Sequence, residues 1–399
     1  MHKIPKTLNY MKRFFILAVA CLVAASASAQ SIYTQDKNNV DMLRPTASHE
    51  VLRSEFVLPQ VNGYKVLKSD LHAHTIYSDG NVTPEYRVRE AWVDGLDVLA
   101  ITEHIEYRPS EGKMISYLKG FFPGEPNKPN GNILSDLNVS NNLAIAAAAG
   151  YGITLIPGAE ITRDQNKIGH YNALFVKDVN TIYDPDPAVS MKKAREQGAL
   201  IMHNHPGWIR KNVDIIEFEE KVYGEGLIDG IEIMNGSEFY PPIVTRAFEK
   251  KFFMAANTDI HGTTTMDYVQ QGHRRNMTFI LAKDNSLESI KEALKARRTL
   301  AYSFGTLAGE EQLIKDFFMA CVKFETFKVD GNGKRTMRMV NNTSMNFVLR
   351  FGGNPVELRP FTSRNVSVAK DAELVFTVEN LWIPGEGKEA KHPVIKLKF

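Results

Sequence analysis

The chain has 399 residues, of which 43% are hydrophobic, and a formal net charge of +2. This apolar content is enough for a packed core and for one large and one small domain. No block of lysine or arginine of the kind that follows a phosphate backbone is present, so polymeric nucleic acid is not an expected substrate.

The first 29 residues are typical of a secretory signal. Two basic residues precede an apolar run over 14–20, and Ala27-Ser28-Ala29 is a cleavage site that leaves Gln30 as the first mature residue. The run is too short to span a bilayer, so we expect an exported protein, periplasmic or secreted, with no membrane attachment after cleavage. The weaker alternative is a lipoprotein acylated at Cys21, because the apolar core continues beyond this cysteine.

Cleavage changes the charge of the chain and its cysteine content. It removes four basic residues and no acidic ones, which moves the formal charge from +2 to −2. Cys321 is then the single cysteine, so no intramolecular disulfide can form and stability must come from a hydrophobic core.

From Tyr64 onward, segments with strand and helix patterns alternate. Strands are predicted at 64–72, 97–102, 153–157, 171–176, 199–202, 230–234, 252–256 and 277–281. Helices are predicted near 83–95, 139–150, 187–198, 240–251 and 286–298. This alternation predicts a parallel sheet, and about seven repeats favour a barrel over an open sheet.

Residues 105–138 interrupt the alternation. The segment is rich in proline, glycine and asparagine, begins directly after a strand, and is too long for an ordinary connection. Such insertions usually form lids or walls of a binding site, and we expect that role here.

The pattern changes again after Ser303. One amphipathic segment, 308–320, is followed by short alternating strands separated by glycine-rich and asparagine-rich turns. The predicted organisation is therefore an extended lead-in over 30–62, an α/β barrel over 63–305, and a small C-terminal all-β sandwich over 306–399.

Metal-type side chains first occur at the end of the first predicted strand. His72 and His74 lie two residues apart on one side of that strand, and Asp79 follows in a turn closed by Gly80. Two imidazoles and a nearby carboxylate can bind a metal ion. For this stretch alone, a pair of histidines bonded to the backbone is an equally good interpretation.

Similar side chains recur at the ends or edges of later strands: His104, Glu160, His170, His203, His205, Asp259 and His261. The C-terminal strand ends of a parallel barrel open onto one face, so these side chains are expected to converge. The donors are too many for one tetrahedral ion and fit two or three ions that share a bridging carboxylate, for which Glu160 is the natural candidate. A site of imidazole and carboxylate suits Mn²⁺, Zn²⁺ or Fe²⁺.

Five motifs in this order, DLHAHTIYSDG, ITEH, PGAE, HNHP and NTDIHG, resemble the motif series of the PHP (polymerase and histidinol phosphatase) family. The resemblance covers about residues 64–305. It implies a distorted (β/α)7 barrel that carries up to three divalent metals and hydrolyses phosphate esters. The signal segment and the added β domain are more similar to the exported alkyl-phosphodiesterase subgroup than to cytosolic histidinol phosphatases.

Matched motif by motif, the resemblance implies three metal positions: His72, His74, Glu160 and Asp259 at the first, Asp79, His104 and His261 at the second, and Glu160, His170 and His205 at the third. Asp70 and Glu103 are expected to support these ligands from behind.

The expected mechanism is in-line attack on phosphorus by a metal-bridging hydroxide. His203 and Asp259 are the candidate proton donors to the leaving group, with a structural role as the alternative for His203. Arg163 and Arg275 are the main candidates to clamp the phosphate, and the alternative for each is a solvated loop charge.

The predicted function is hydrolysis of a small soluble phosphate ester, preferably a diester. The alternatives are a phosphomonoesterase of the histidinol-phosphatase type and a non-catalytic protein that binds metal or ligand through the same barrel. Nothing in the sequence indicates an oligomeric state.

Overall fold

The computed structural model describes residues 33–45, 53–108 and 136–399. The chain divides into two compact units, 1–52 and 53–399. The described part of the first unit is an antiparallel hairpin of strands β1 (Tyr33–Gln35) and β2 (Leu43–Pro45), and the lead-in over 30–62 stays a prediction. The predicted signal segment, with Cys21, lies outside the described residues, as does most of the 105–138 insertion.

The described residues of the second unit form twenty strands. The first eleven are β3 (Lys65–Asp70), β4 (Val98–Ile101), β5 (Thr154–Thr162), β6 (His170–Leu174), β7 (Leu200–His203), β8 (Gly230–Asn235), β9 (Glu238–Phe239), β10 (Phe253–Asn257), β11 (Met277–Ala282), β12 (Thr299–Ser303) and β13 (Thr306–Gly309). The remaining nine are β14 (Val322–Val329), β15 (Arg335–Asn341), β16 (Phe347–Arg350), β17 (Val356–Leu358), β18 (Ser363–Val368), β19 (Leu374–Val378), β20 (Leu381–Pro384), β21 (Ala390–Lys391) and β22 (Val394–Leu397).

The helices of the second unit are α1 (Pro84–Val93), α2 (Val139–Tyr151), α3 (Pro187–Glu196), α4 (Glu217–Gly224), α5 (Pro241–Lys250), α6 (Thr264–Asp267), α7 (Leu287–Lys295) and α8 (Glu311–Cys321). Helix α1 begins as its sequence predicts. Thr83 caps it by accepting a hydrogen bond from the Tyr86 amide, and Pro84 occupies the first turn, where its missing N–H costs nothing. All eight strands and five helices predicted for the barrel region are confirmed, while α4 and α6 were not predicted.

Most of the strands before residue 310 form one large mixed sheet, in the order β10-β8-β7-β6-β5-β4-β3-β11-β12-β13-β20-β21, with β9 paired to β8. The ladders make β3, β4, β5, β7, β8 and β10 run in one direction, while β6 and β11 run against them. The C-terminal ends of six strands therefore lie on the same side of the sheet.

The large sheet is strongly curled. Beyond the ends of β3 and β10, an isolated parallel bridge joins Ala73 to Ile260, and the Asp259 amide donates to the carbonyl of His72. Among the described residues, however, continuous ladders do not close the sheet into the (β/α)7 barrel that the family resemblance implies. The shared end of the parallel strands, rather than barrel closure, is what brings the predicted ligands together.

The C-terminal region contains the expected antiparallel strands, in a three-stranded sheet β14-β15-β18 and a four-stranded sheet β17-β16-β19-β22. Helix α8 packs against them through Phe318, whose ring meets those of Phe347 and Phe376. Strands β20 and β21 instead return to the large sheet through β13. The division of the chain at residue 306 stays a prediction. In the part of the chain described, no helix has the length and apolar character needed to cross a bilayer.

Candidate metal centre

The end of β3 places two imidazoles side by side. His72 and His74 are both fully buried, and their Nε2 atoms lie 3.1 Å apart. Asp259, which follows β10, brings its Oδ1 to 3.2 Å from His72 Nε2 and 3.0 Å from His74 Nε2. The two strands that meet through the Ala73–Ile260 bridge thus supply three of the four ligands predicted for the first position, and β5 supplies the fourth, Glu160.

Asp79 organises the second group. Its Oδ1 lies 3.1 Å from Nε2 of His261 and 3.4 Å from Nε2 of His104. The turn that carries Asp79 is tight, because a Cβ on Gly80 would come within 2.7 Å of the Thr75 amide nitrogen. Glycine is therefore required for the turn that returns the carboxylate toward the histidines.

Glu160 lies at the centre of the predicted ligands. Five imidazoles approach its carboxylate within 3.8 Å: His72, His74, His104, His170 and His205. Its Oε1 is 3.2 Å from Nδ1 of His170 and its Oε2 is 2.6 Å from Nδ1 of His104. Strand β6 runs antiparallel to β5, and the pairing of Thr162 with His170 brings this histidine back beside Glu160.

These residues fit divalent metal ions. Four subsets of them have ligand atoms that all lie within 4.8 Å of one another: His74, Asp79, His104 and His261; His72, His74 and Glu160; His72, His205 and Asp259; and Glu160, His170 and His205. Asp79 Oδ1 and Glu160 Oε2 are buried without a hydrogen-bond partner, although ring nitrogens lie near both atoms. Buried carboxylate oxygens without hydrogen bonds are costly unless a cation pairs with them.

The electrostatics keep the carboxylates ionised. Burial alone would raise the pKa of Glu160, but His104, His72 and His170 hold this pKa well below its usual range. Asp259 behaves in the same way. Burial alone would raise its pKa, but the adjacent His72 and His74 hold this pKa well below its usual range. A carboxylate that is charged at neutral pH is in the form that binds a metal.

The imidazoles differ among themselves. Burial and the neighbouring His104 and His261 lower the pKa of His74 to about 3, so this ring is neutral and can act as a ligand. Burial also lowers the pKa of His104, but Asp79 and Glu160 outweigh it and raise that pKa well above normal. Without metal, a proton on His104 therefore supplies part of the positive charge that the carboxylates of the site attract.

Glu232 supports the cluster from behind, a role that the sequence interpretation missed. Its Oε1 accepts from Nδ1 of His72 at 2.9 Å, and its Oε2 accepts from the backbone amide of His205 at 2.8 Å. Such a partner fixes the tautomer and orientation of a ligand imidazole. The available signal was its position as the single charged residue inside the otherwise apolar strand β8.

The expected supports Asp70 and Glu103 are also in place. Asp70 Oδ1 accepts from the amides of His72 and Thr258, each at 3.2 Å. Glu103 accepts from the hydroxyl of Ser78, which in turn lies 3.3 Å from Nδ1 of His74. Both carboxylates are buried and hold the loops that carry the ligands.

The backbone at two ligands is unusual. Asp259 has φ 52° and His205 has φ 23°, both in the positive range that residues with side chains rarely adopt. Aspartate tolerates this region better than most residues. Strain of this kind concentrates at functional sites, where the surrounding structure holds the ligand atoms in place.

His203 lies outside the ligand cluster. Its Nδ1 is 2.7 Å from the hydroxyl of Tyr223, and its ring stacks on Tyr171 with a centroid distance of 4.8 Å. Burial, with nearby Arg246, holds its pKa well below normal. This environment supports the structural alternative for His203 over proton donation.

The two predicted phosphate clamps have protein partners. Arg163 pairs with Glu106 and donates to the carbonyl of Asp184, while Arg275 pairs with Asp70 and Asp94. Both guanidinium groups are almost completely buried. These contacts give each arginine a structural role, and contact with a phosphate stays an untested prediction.

Comparison with known proteins agrees with this geometry. Residues 70–314, more than half of the chain, match the family model described as PHP domain. The chain belongs to the PHP domain family. All nine predicted metal ligands fall inside the matched PHP domain. No curated protein matches the chain.

Solved structures extend the comparison. A two-domain protein from Bacteroides vulgatus ATCC 8482, described as containing a predicted PHP-like metal-dependent phosphoesterase, is 33% identical, with a TM-score of 0.75 over 86% of this chain and 99% of that one. A putative metal-dependent phosphoesterase from Bifidobacterium adolescentis is 16% identical, with a TM-score of 0.36 over 49% of this chain and 88% of that one. The similarity to the Bacteroides protein includes the region that follows the PHP domain.

Proposed function

We propose that this PHP protein is a metal-dependent hydrolase of phosphate esters. The observation that carries the proposal is the buried carboxylate of Glu160 within 3.8 Å of five imidazoles, because this is the set of donors that divalent transition-metal ions bind. The family match and the phosphoesterase description of the Bacteroides protein support the same activity.

The proposed cofactor is two to three divalent ions, Mn²⁺, Zn²⁺ or Fe²⁺. His72, His74, Glu160 and Asp259 would hold one, Asp79, His104 and His261 a second, and Glu160, His170 and His205 a third. When bound, such ions supply Lewis acidity toward a phosphoryl oxygen and lower the pKa of a water molecule.

The residues of the chain determine how a substrate approaches. Most of the predicted ligands are buried, but the side chains of Asp259 and His261 remain 21% and 36% exposed. A phosphate can therefore reach the centre from the side of these two residues. Because the pKa of Asp259 is held low, this residue is a carboxylate at neutral pH, which supports a ligand role over donation of a proton to the leaving group.

The finer proposal is a preference for diesters in an exported enzyme of the alkyl-phosphodiesterase type. The signal segment and the 105–138 insertion support it. In the described part of that insertion, the ring of Tyr107 lies 5.7 Å from that of His104. An aromatic wall there would favour a second organic group over the second full charge of a monoester. A monoesterase of the histidinol-phosphatase type is the second candidate.

The test compares bis(4-nitrophenyl) phosphate with 4-nitrophenyl phosphate, using mature protein reconstituted with Mn²⁺ or Zn²⁺. We expect faster hydrolysis of the diester, loss of activity with chelator, and recovery when metal is restored. Faster hydrolysis of the monoester would indicate the histidinol-phosphatase type. Bound metal without hydrolysis of either ester would contradict the proposed function and favour a non-catalytic binding protein.

A further inference from the structure

A cleft of about 360 Å³ opens directly from the exposed side of the metal centre. Asp259 and His261 form its inner end, and the lining continues outward through Ser237, Asp267 and Gln271 to Phe304. A phosphate held by the metal ligands would therefore have one of its ester groups beside this cleft. The inference below rests on the proposed function and concerns the chemistry of that group.

The polar side chains in the outer part of the cleft are a hydroxyl, an amide and a carboxylate, from Ser237, Gln271 and Asp267. Asp267 lies close to the centre, because a Cβ on Gly262, the residue after His261, would be 3.3 Å from its Oδ2. Its carboxylate makes no ion pair within the described ranges, and no lysine or arginine is part of the lining. A second negative charge on the substrate would therefore be repelled, whereas hydroxyl groups could donate to Asp267 and exchange hydrogen bonds with Ser237 and Gln271.

Phe304 supplies an aromatic side to the cleft in an unusual backbone position. It is the first of two residues, Phe304 and Gly305, that connect β12 to β13, with φ values of 47° and 81°. Hairpins of this kind favour asparagine or aspartate before the glycine, and positive φ is unfavourable for a bulky residue. Its ring packs against those of Tyr268 and His273, yet the residue is 37% exposed.

We propose that this cleft binds the alcohol part of the substrate and that this part is an uncharged polyol, such as a glyceryl or sugar group. An aromatic face can cover the C–H surface of a polyol while Asp267, Ser237 and Gln271 bind its hydroxyls. Ser237, Asp267 and Gln271 are exposed in the free protein, and a purely apolar group would displace water from them without replacing its hydrogen bonds, which costs binding energy. The volume is within the usual range for a small-molecule site, roughly 300–1,000 Å³.

The test uses a series of 4-nitrophenyl phosphodiesters whose second group is glyceryl, propyl, 2-aminoethyl or carboxymethyl. With the metal-loaded enzyme we expect the glyceryl ester to exceed the propyl ester by at least tenfold in kcat/KM and the carboxymethyl ester to be the poorest. Asp267→Ala and Gln271→Ala should each remove most of the glyceryl advantage through KM. Glu288→Ala is the matched control, since Glu288 is an exposed acid that lines a separate cleft.

A second measurement separates binding from turnover. Calorimetry with a glyceryl phosphonate, in which carbon replaces the scissile ester oxygen, should show binding to the wild-type protein that weakens at least fivefold in Asp267→Ala. If both variants hydrolyse the series with wild-type ratios, or if the 2-aminoethyl ester is preferred over the glyceryl ester, the polyol inference is wrong and the hydrolase proposal survives. If no ester is hydrolysed but the phosphonate binds through Asp267, the hydrolase proposal fails and the cleft assignment stands.

Discussion

The guanidinium group of Arg87 joins the loop of His74 to the loop of His261. Its Nε donates to the carbonyl of His74 at 3.1 Å, and its Nη2 donates to the carbonyl of Gly262 at 2.8 Å. The same Nη2 lies 3.3 Å from the carbonyls of residues 260 and 261. Arg87 is fully buried and forms an ion pair with Glu90 at 2.5 Å. One buried side chain of α1 thus fixes the spacing between two groups of predicted metal ligands.

Arg87→Met should weaken metal binding about 10–100-fold, the usual effect of losing a partner behind a metal ligand. It should also lower the free energy of unfolding by roughly 3–5 kcal/mol, because the buried Glu90 loses its ion-pair partner and keeps only the hydrogen bond from the Thr264 amide. Elemental analysis after dialysis and chemical unfolding measure the two effects. In the double variant Arg87→Met, Glu90→Gln, stability should partly recover while metal affinity stays low. Arg298→Met, at a pair nearer the surface, is the control. Wild-type metal affinity in Arg87→Met would contradict the joining role.

Glu160→Gln should lose more metal than the replacement of any single histidine. Its carboxylate approaches imidazoles of both the first and third predicted positions, so one neutral substitution affects two ions. The measurement is metal per chain after reconstitution at saturating Mn²⁺ or Zn²⁺, where two to three ions are expected for the wild type. Full occupancy in Glu160→Gln would show that the bridging assignment is wrong.

Glu232→Gln should reduce metal affinity about 10–100-fold without changing the number of ions bound at saturation. The amide can still accept one hydrogen bond, but it lacks the charge that stabilises the Nδ1 proton of His72. Titration with a competing chelator gives the affinity, and elemental analysis gives the stoichiometry. A lower stoichiometry at saturation would instead make Glu232 a direct ligand.

Stabilisation by metal should increase with pH. Carboxylates raise the pKa of His104 and His72 well above normal despite burial, so in the metal-free fold the protons on these rings add stability. That contribution is complete below the unfolded pKa of about 6.5 and is lost as pH rises through the folded values. Metals must displace these protons and therefore bind more weakly in acid. The difference in Tm between the Mn²⁺-loaded and the chelator-treated protein should increase from pH 6 to pH 8.5. A difference that stays constant over this range would contradict this account.

His203→Gln should leave metal content unchanged and destabilise the protein by roughly 1–3 kcal/mol, because it removes the imidazole partner of the buried Tyr223 hydroxyl. Elemental analysis and thermal unfolding test both parts. His392→Ala is a suitable comparison, since His392 lies in the C-terminal region, where it contacts the carbonyl of Leu381 and its ring packs at a tilt against Trp382. A loss of turnover in His203→Gln with normal metal content would restore the proton-donor assignment.

The sequence alone was sufficient to select side chains that lie close together in the structure, and most of the elements that carry them. His72 and His74, two residues apart at a strand end, and Asp79 before Gly80 are local patterns, because strand periodicity and turn chemistry act over a few residues. Asp259 and His261 follow the same rule after β10. For this reason the expected ligands meet in the structure even though the sheet is mixed and the ladders between the described strands do not close it into a barrel.

Only the tertiary structure decided what surrounds those ligands. The direction of β6, the position of Glu232 behind His72 and the link from Arg87 to Gly262 all join residues from distant parts of the chain, and no local pattern encodes such pairings. The same is true of Arg163, Arg275 and His203, whose residue types suggest chemistry but whose buried partners give them structural roles. Charged side chains cannot be buried unpaired, so the partner that packing provides, and not the residue type, determines which of them remain available to a substrate.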